Sequence, residues 1–280
     1  MNKFELQSKL WFWWPILAFS VLLSTVGATI WFFWPEVEVT ETFEPLQNRF
    51  GSMEELTLVP EFHRAYLRAN GGTDKIEELQ SLRASGVMES RGQAVPFFSL
   101  KRRPDQSLTT LKMPDYDLSF VVNGDLVWQR VIAPGQAPQY ELKTGSEAEA
   151  IGEMGDFFGP IMRVILFGEG SIEGLTPSVW RGQEVIKLDF RSVQVNLLVT
   201  AYVDIQTMHP IARVEAFADG RERTVLYSDY RSIRGMQEPF LVETYLDNVL
   251  QSRVILEKSE ANVGMVASLF EYPGASDTPK

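Results

Sequence analysis

The chain of 280 residues has no cysteine. That excludes disulfides, thiol catalysis and a lipid-modified cysteine anchor, so any folded part must rest on an ordinary hydrophobic core. Histidine is nearly absent too. His63 and His209 are the two imidazoles, and neither stands in a metal-ligand spacing such as HExxH, so no metal site is expected. Both read as surface or capping histidines. There is no G-x-S-x-G elbow, no P-loop and no intact G-x-G-x-x-G, since Gly168-Glu169-Gly170 is followed by its next glycine only at Gly174. Asp115 and Asp117 could in principle flank a glycosidic bond, but nothing sets them apart from the other acids. A hydrolase would need convergent polar groups of perturbed pKa, and no such constellation is visible. The expectation is therefore a protein that is not an enzyme, with no catalytic residue and no cofactor. The net charge of −11 also argues against nucleic acid as a partner, because phosphate binding needs a concentrated basic face.

Charge is missing altogether from residues 11–34. Those 24 residues, at ~1.5 Å each in a helix, match a hydrocarbon core of roughly 30 Å. Trp11, Trp13 and Trp14 mark one end and Trp31 and Trp34 the other, as aromatic belts do at headgroup depth. Pro15 falls in the first turn, where its missing N–H costs nothing. Lys3 and Lys9 precede the run, and Glu36, Glu38, Glu41 and Glu44 follow it. The positive-inside rule then sets 1–10 in the cytoplasm, 11–34 as a single-pass anchor and the main domain outside the cytoplasm. A cleavable signal peptide is the alternative, with Val26-Gly27-Ala28 as the small-residue site. The apolar run continues beyond it through Ile30 to Trp34, too long and too aromatic for a signal h-region.

Residues 35–59 are acidic and carry Pro35 and Pro45, the composition of a solvated linker. Over 60–70 the apolar residues Phe62, Ala65, Tyr66 and Ala69 make a helical stripe that stops at Gly71-Gly72. Thr73 is placed to cap a second helix over 74–80. From Leu82 on, short β segments alternate with turns: 95–101, 108–113, 118–122, 126–132, 185–191, 193–203, 211–217, 223–230, 240–246 and 254–260. Asn123-Gly124 and Asp219-Gly220 are hairpin turns. In 185–191, Ile186, Leu188 and Phe190 share one face and Lys187, Asp189 and Arg191 the other, so one face is dry. Between Glu147 and Phe167 the apolar residues are too dense for a strand, and Gly152, Gly155, Gly159 and Pro160 break the segment into short helices. A polar tail occupies 274–280.

Large apolar side chains are in surplus for a domain of one-sided strands. They either fill a core or line a curled sheet with space inside, and such barrels often hold apolar ligands. The residues leave both alternatives open.

The order of features over 60–273 resembles the lipoprotein-sorting and lipoprotein-carrier superfamily. The resemblance is carried by Gly71-Gly72 closing a short helix, a strand from Leu79 to Gly86, Lys101-Arg102-Arg103-Pro104-Asp105, and Val122-Asn123-Gly124-Asp125 before Trp128. It continues through Tyr202-Val203-Asp204-Ile205-Gln206-Thr207 before Pro210, and Asn262-Val263-Gly264 with Leu269, Phe270 and Pro273. It implies a mainly β domain, a half-open antiparallel β-barrel with short covering helices, preceded here by one N-terminal transmembrane helix. It also implies a double-membrane cell envelope, with the anchor in the inner membrane and the main domain in the periplasm, and non-catalytic binding of lipid acyl chains or lipoproteins in an apolar cavity, with 147–167 as a lid. The expected cavity and lid residues are Phe97, Phe120, Val122, Trp128, Phe157, Phe158, Ile161, Ile165, Leu188, Phe190, Leu197 and Val199. No arginine stands out as a cavity anchor, since Arg102, Arg103 and Arg163 have solvated readings. Carriers of this superfamily are typically soluble, and a tether instead suits a stationary acceptor, a sensor or a subunit of an envelope complex. The alternative is a sensor or scaffold whose filled barrel binds protein partners.

Overall fold

The computed structural model of the protein describes residues 50–192 and 197–273. The anchor expected at 11–34, the segment before it, the linker up to 49 and the tail at 274–280 lie outside the described residues. Among the described residues no helix is long and apolar enough to cross a membrane.

The domain is mainly β, built as one 13-stranded antiparallel sheet from two meanders. The first runs through β1 (Ser81–Ser90), β2 (Gln93–Arg102), β3 (Gln106–Lys112), β4 (Asp117–Asn123), β5 (Leu126–Ile132) and β6 (Gln139–Lys143). The second runs through β7 (Gly170–Trp180), β8 (Gln183–Ser192), β9 (Leu198–Asp204), β10 (Pro210–Ala216), β11 (Glu222–Ile233), β12 (Met236–Leu246) and β13 (Val249–Ala261). Pairing of β1 with β13 joins them, so β6 and β7 are the two edges and the sheet stays open.

Among the described residues four α-helices accompany the sheet: α1 (Val59–Ala69), α2 (Gly72–Glu78), α3 (Gly145–Gly155) and α4 (Pro160–Phe167). Phe62, Ala65 and Tyr66 are the buried stripe of α1, and its end is tied by Asn70 Nδ2 donating to the Tyr66 carbonyl at 2.9 Å. The cap of α2 is Gly71 in the left-handed region, not Thr73, which lies inside the helix. Glycine is required there by space as well as by φ, since a Cβ at Gly71 would sit 2.8 Å from the Gly235 carbonyl oxygen. Residues 50–58, expected within the linker, fold onto the domain: Leu56 is fully buried and Phe50 and Met53 pack against the same core.

Two edge strands escape the sequence pattern. β6 is five residues long and exposed at four of them, and β7 carries Gly170, Gly174 and Pro177, breakers that an edge strand tolerates because one side of it needs no ladder. The segment expected as a strand over 193–203 begins its ladder only at Leu198, with Leu197 in a bend ahead of it.

The sheet curls. Ile151 of α3 packs on Val122 of β4 and Val127 of β5, while Glu153, two residues on, pairs with Arg213 of β10. β4 and β10 are seven steps apart in the strand order, about 34 Å if the sheet were flat at ~4.8 Å per strand. A helix advances only ~1.5 Å per residue. The sheet must therefore wrap round α3, with the helices on its concave face.

Each face has its own core. On the concave side α1, α2 and α4 cover β8 and β9, where Phe62, Tyr66, Ile76, Ile161, Met162, Ile186, Leu188, Phe190, Val199 and Ala201 form one cluster. On the convex side the segment after β13 straps across β2–β5, burying Leu100, Leu108, Val121 and Trp128 beneath Phe270, with Met265 and Tyr272 against them. Asn262 ties the strap down, its Oδ1 accepting from Gln80 N at 2.7 Å and its Nδ2 donating to Glu78 O at 3.0 Å.

Candidate functional site

The flanks of the concave face are filled, and its centre is different. Cross-strand register places Met88 opposite Val95, Met88 opposite Val254 and Val254 opposite Val242. One row along, Gly86 stands opposite Phe97, Phe97 opposite Leu111 and Leu111 opposite Leu118. Met88, Phe97, Leu111, Leu118, Val242 and Val254 are half-buried, whereas the matching positions on the flanks are fully buried. No charged side chain occurs in these two rows. Charges of the same strands lie on the convex side, where Arg253 pairs with Glu243 at 2.8 Å and Glu89 at 3.3 Å, and Arg83 pairs with Glu260. The result is an uncharged apolar trough floored by β12, β13, β1, β2, β3 and β4. Gly86 lets β13 bulge against it, since a Cβ there would lie 2.0 Å from the Ile255 carbonyl oxygen.

A cover spans the trough. α3 lies against β3, β4 and β5 and α4 against β7 and β8, and the C-terminal end of α3 is pressed close, with Gly155 leaving room for Ser107 Oγ and Val122. In the link between α3 and α4, the rings of Phe157 and Phe158 meet edge to face at 4.8 Å and the Arg103 guanidinium lies 4.5 Å from the centre of the Phe158 ring. Lys101 Nζ donates to the Asp156 carbonyl at 2.6 Å. Burial pulls the Lys101 pKa down, and Asp156 and Glu238 nearby oppose that.

An ion-pair network joins the cover to the far wall. Glu153 accepts from Arg213 Nη2 at 2.8 Å and from Arg223 Nη2 at 3.1 Å. Beneath them Glu215, 1% exposed, meets Arg213 Nε at 2.9 Å and accepts from Arg223 Nε at 2.7 Å. Burial opposes the charge on Arg213, but Tyr227, Glu215 and Glu153 beside it outweigh that and hold the guanidinium protonated above its ordinary range. Burial also raises the hydroxyl pKa of Tyr66, Tyr227 and Tyr230. The unfolded chain ionises its tyrosines near pH ~10, so above that pH it releases protons the folded protein keeps. Stability is fully present below the unfolded pKa and falls as pH rises beyond it. The urea midpoint is expected to drop between pH 9 and 11, with tyrosinate absorbance appearing together with unfolding; tyrosinate forming in the folded protein at its ordinary pH would refute this.

The sequence-derived cavity residues divide into six groups. Phe97 lies on the open floor. Phe120 and Val122 sit beneath α3. Ile161, Leu188, Phe190 and Val199 belong to the filled flank, with Ile165 packed against it. Phe157 and Phe158 lie in the cover, and Leu197 precedes β9. Trp128 is on the opposite, convex face under the strap, because it pairs with Val121 of the outward row. His209 is buried and stacks on Tyr230 at 4.4 Å rather than standing at the surface. Sequence reasoning missed Arg213, Glu215, Arg223 and Glu153. Charges two apart in a strand read as an outward face, and only the register brings them inside. Among the described residues no group of three or more His, Cys, Asp or Glu is placed to hold a metal ion.

No family model matches the sequence, and no curated protein matches it. Solved structures do. A DUF1329 family protein from Desulfovibrio piger is 12% identical with a TM-score of 0.53, covering 77% of this chain and 98% of its own. A LolA superfamily protein from Nitrosomonas europaea is also 12% identical, with a TM-score of 0.49, covering 75% of this chain and 97% of its own. The likeness to the DUF1329 family protein is one of fold alone.

Proposed function

We propose that this protein binds apolar chains, the acyl chains of lipids or lipoproteins, in the trough of its curled sheet without chemistry. On this reading it works in the cell envelope, held in the inner membrane by residues 11–34 with its main domain in the periplasm. The observation that carries the reading is the contrast between the two faces of the central strands. Half-buried Met88, Phe97, Leu111 and Val254 form an uncharged floor, while Arg253, Glu243 and Glu89 of the same strands pair on the other side. Each methylene buried on such a floor contributes about 0.8 kcal/mol, so a chain can be held there without polar anchors. α3, α4 and the Phe157–Phe158 link form the cover that shifts to admit it.

The test is native mass spectrometry with lipid extraction on the full-length protein purified from a cell envelope. Wild type is expected to retain lipid or lipoprotein, and Leu111→Asp with Val254→Asp to lose most of it while keeping a cooperative unfolding transition. An empty wild-type protein that also ignores a fluorescent fatty acid would end this reading. The second reading, a sensor or scaffold for protein partners, is favoured by the β6 edge, where Tyr140 and Leu142 are 40% and 47% exposed and a partner strand could add. An empty trough together with a partner captured through β6 would support it.

A further inference from the structure

Resting on the reading of the trough as an acyl-chain site, we infer that its ligand is an amphiphile with an anionic head, and that Arg213 and Arg223 are the pair that receives the head. Glu153 of α3 fills that position while the cover is closed.

The argument begins with the charge count on the wall. Two guanidiniums face two carboxylates, but the carboxylates sit on different elements. Glu215 belongs to β10, is 1% exposed, and stays with the arginines whatever the cover does. Glu153 belongs to α3, is 22% exposed, and leaves with the helix. Admitting a chain beneath α3 requires that helix to shift, and the shift leaves two arginines with one carboxylate, a net positive charge on this wall. A buried cation left without its partner is strongly unfavourable, so opening is favoured when another anion takes the vacated position. A carboxylate or phosphate reproduces the donor geometry that Glu153 now satisfies, with Arg213 Nη2 and Arg223 Nη2 both reaching its Oε1, at 2.8 Å and 3.2 Å. The fork of arginine suits planar oxyanions.

The place adjoins the floor. Arg223 stands opposite Leu246 of β12, and Glu215 opposite Arg223, so a head held here extends its tail along β12 and β13. On the opposite wall Lys101 also donates to the cover, to the Asp156 carbonyl, but the carboxylate of Glu238, carried by β12, stays beside it when the cover moves. Buried Lys143 of β6 likewise pairs with a carboxylate of α3, Glu147 at 3.0 Å, but keeps Glu141 of its own strand at 3.1 Å; the arginine pair is where one carboxylate carried by the cover serves two cations.

The experiment compares dodecanoate, dodecanol and acetate on the full-length protein at pH 8 by displacement of a fluorescent acyl probe. Hydrogen bonds to a charged head should favour dodecanoate over dodecanol by about tenfold or more, with acetate ineffective at the same concentration. Glu153→Gln removes the internal competitor, so it should tighten dodecanoate and leave dodecanol unchanged, and Arg223→Met should erase the preference. Equal binding of acid and alcohol, or an equal gain for both in Glu153→Gln, overturns the head assignment and leaves the acyl-chain reading standing. Failure of both ligands to bind overturns the two together.

Discussion

Glu215→Leu is expected to destabilise the domain by about 3–5 kcal/mol, the cost of removing one partner from a buried charge network. The transition temperature should fall on the order of 10 °C for a domain of this size. The carboxylate is 1% exposed and lies between two guanidiniums, 2.9 Å from Arg213 Nε and 2.7 Å from Arg223 Nε. Without it, two cations on one wall share Glu153 alone, and leucine can accept from neither. Glu153→Gln should cost far less, because Glu153 is 22% exposed, the amide oxygen still accepts, and Glu215 remains beneath. The triple replacement Arg213→Met, Glu215→Leu and Arg223→Met should recover much of the loss, since a buried ionic group can be exchanged for apolar side chains of similar volume. Thermal unfolding followed by circular dichroism reads all three. Glu215→Leu within about 1 kcal/mol of wild type would mean that water, not Glu215, neutralises the pair.

What could be read from the sequence was local. Alternation in 185–191 gives β8 its dry face, and Ile186, Leu188 and Phe190 are fully buried. The turns are legible for the same reason: Gly124 has φ +60 and Gly220 φ +86, as hairpin turns at Asn123-Gly124 and Asp219-Gly220 require. Phe62, Ala65 and Tyr66 mark α1 because helical spacing and burial agree. Register and curvature are long-range properties and left no such mark. Trp128 and Phe97 look equivalent as aromatic strand residues, yet pairing of Val121 with Trp128 puts one outside, and pairing of Gly86 with Phe97 puts the other on the trough floor. Arg213 and Glu215 look like an exposed alternation until β9 and β11 place them beneath α3. The sequence pattern also could not say whether the space within the sheet is filled. It is filled over β8 and β9 by helices that come from two distant parts of the chain, while at the centre Met88, Phe97, Leu111 and Val254 stay half-buried.

Trp128→Ala is expected to cost about 3–5 kcal/mol, the usual loss for truncating a buried aromatic, and to leave ligand capture unchanged at temperatures where the variant is folded. Trp128 is 2% exposed, in ring contact with Tyr140 at 5.9 Å and Tyr272 at 5.8 Å, and packed under Phe270. All of these lie on the convex face, with the sheet itself between them and the trough. The strap is held there by this contact, by Asn262 and by Ser81 Oγ donating to the Val263 carbonyl at 2.7 Å, so the cavity left by alanine should loosen 263–272 and raise its amide exchange ahead of the rest of the domain. Val254→Asp sets the opposite pattern. It places a charge on a half-buried position of the floor, so it should lower stability only modestly but remove the bound chain. If the two faces divide the work in this way, the two variants separate cleanly: one loses stability and keeps ligand, the other keeps most stability and loses ligand. A Trp128→Ala protein that is folded yet empty would mean that the convex core sets the curl of the sheet, and that the trough exists only while the strap is in place.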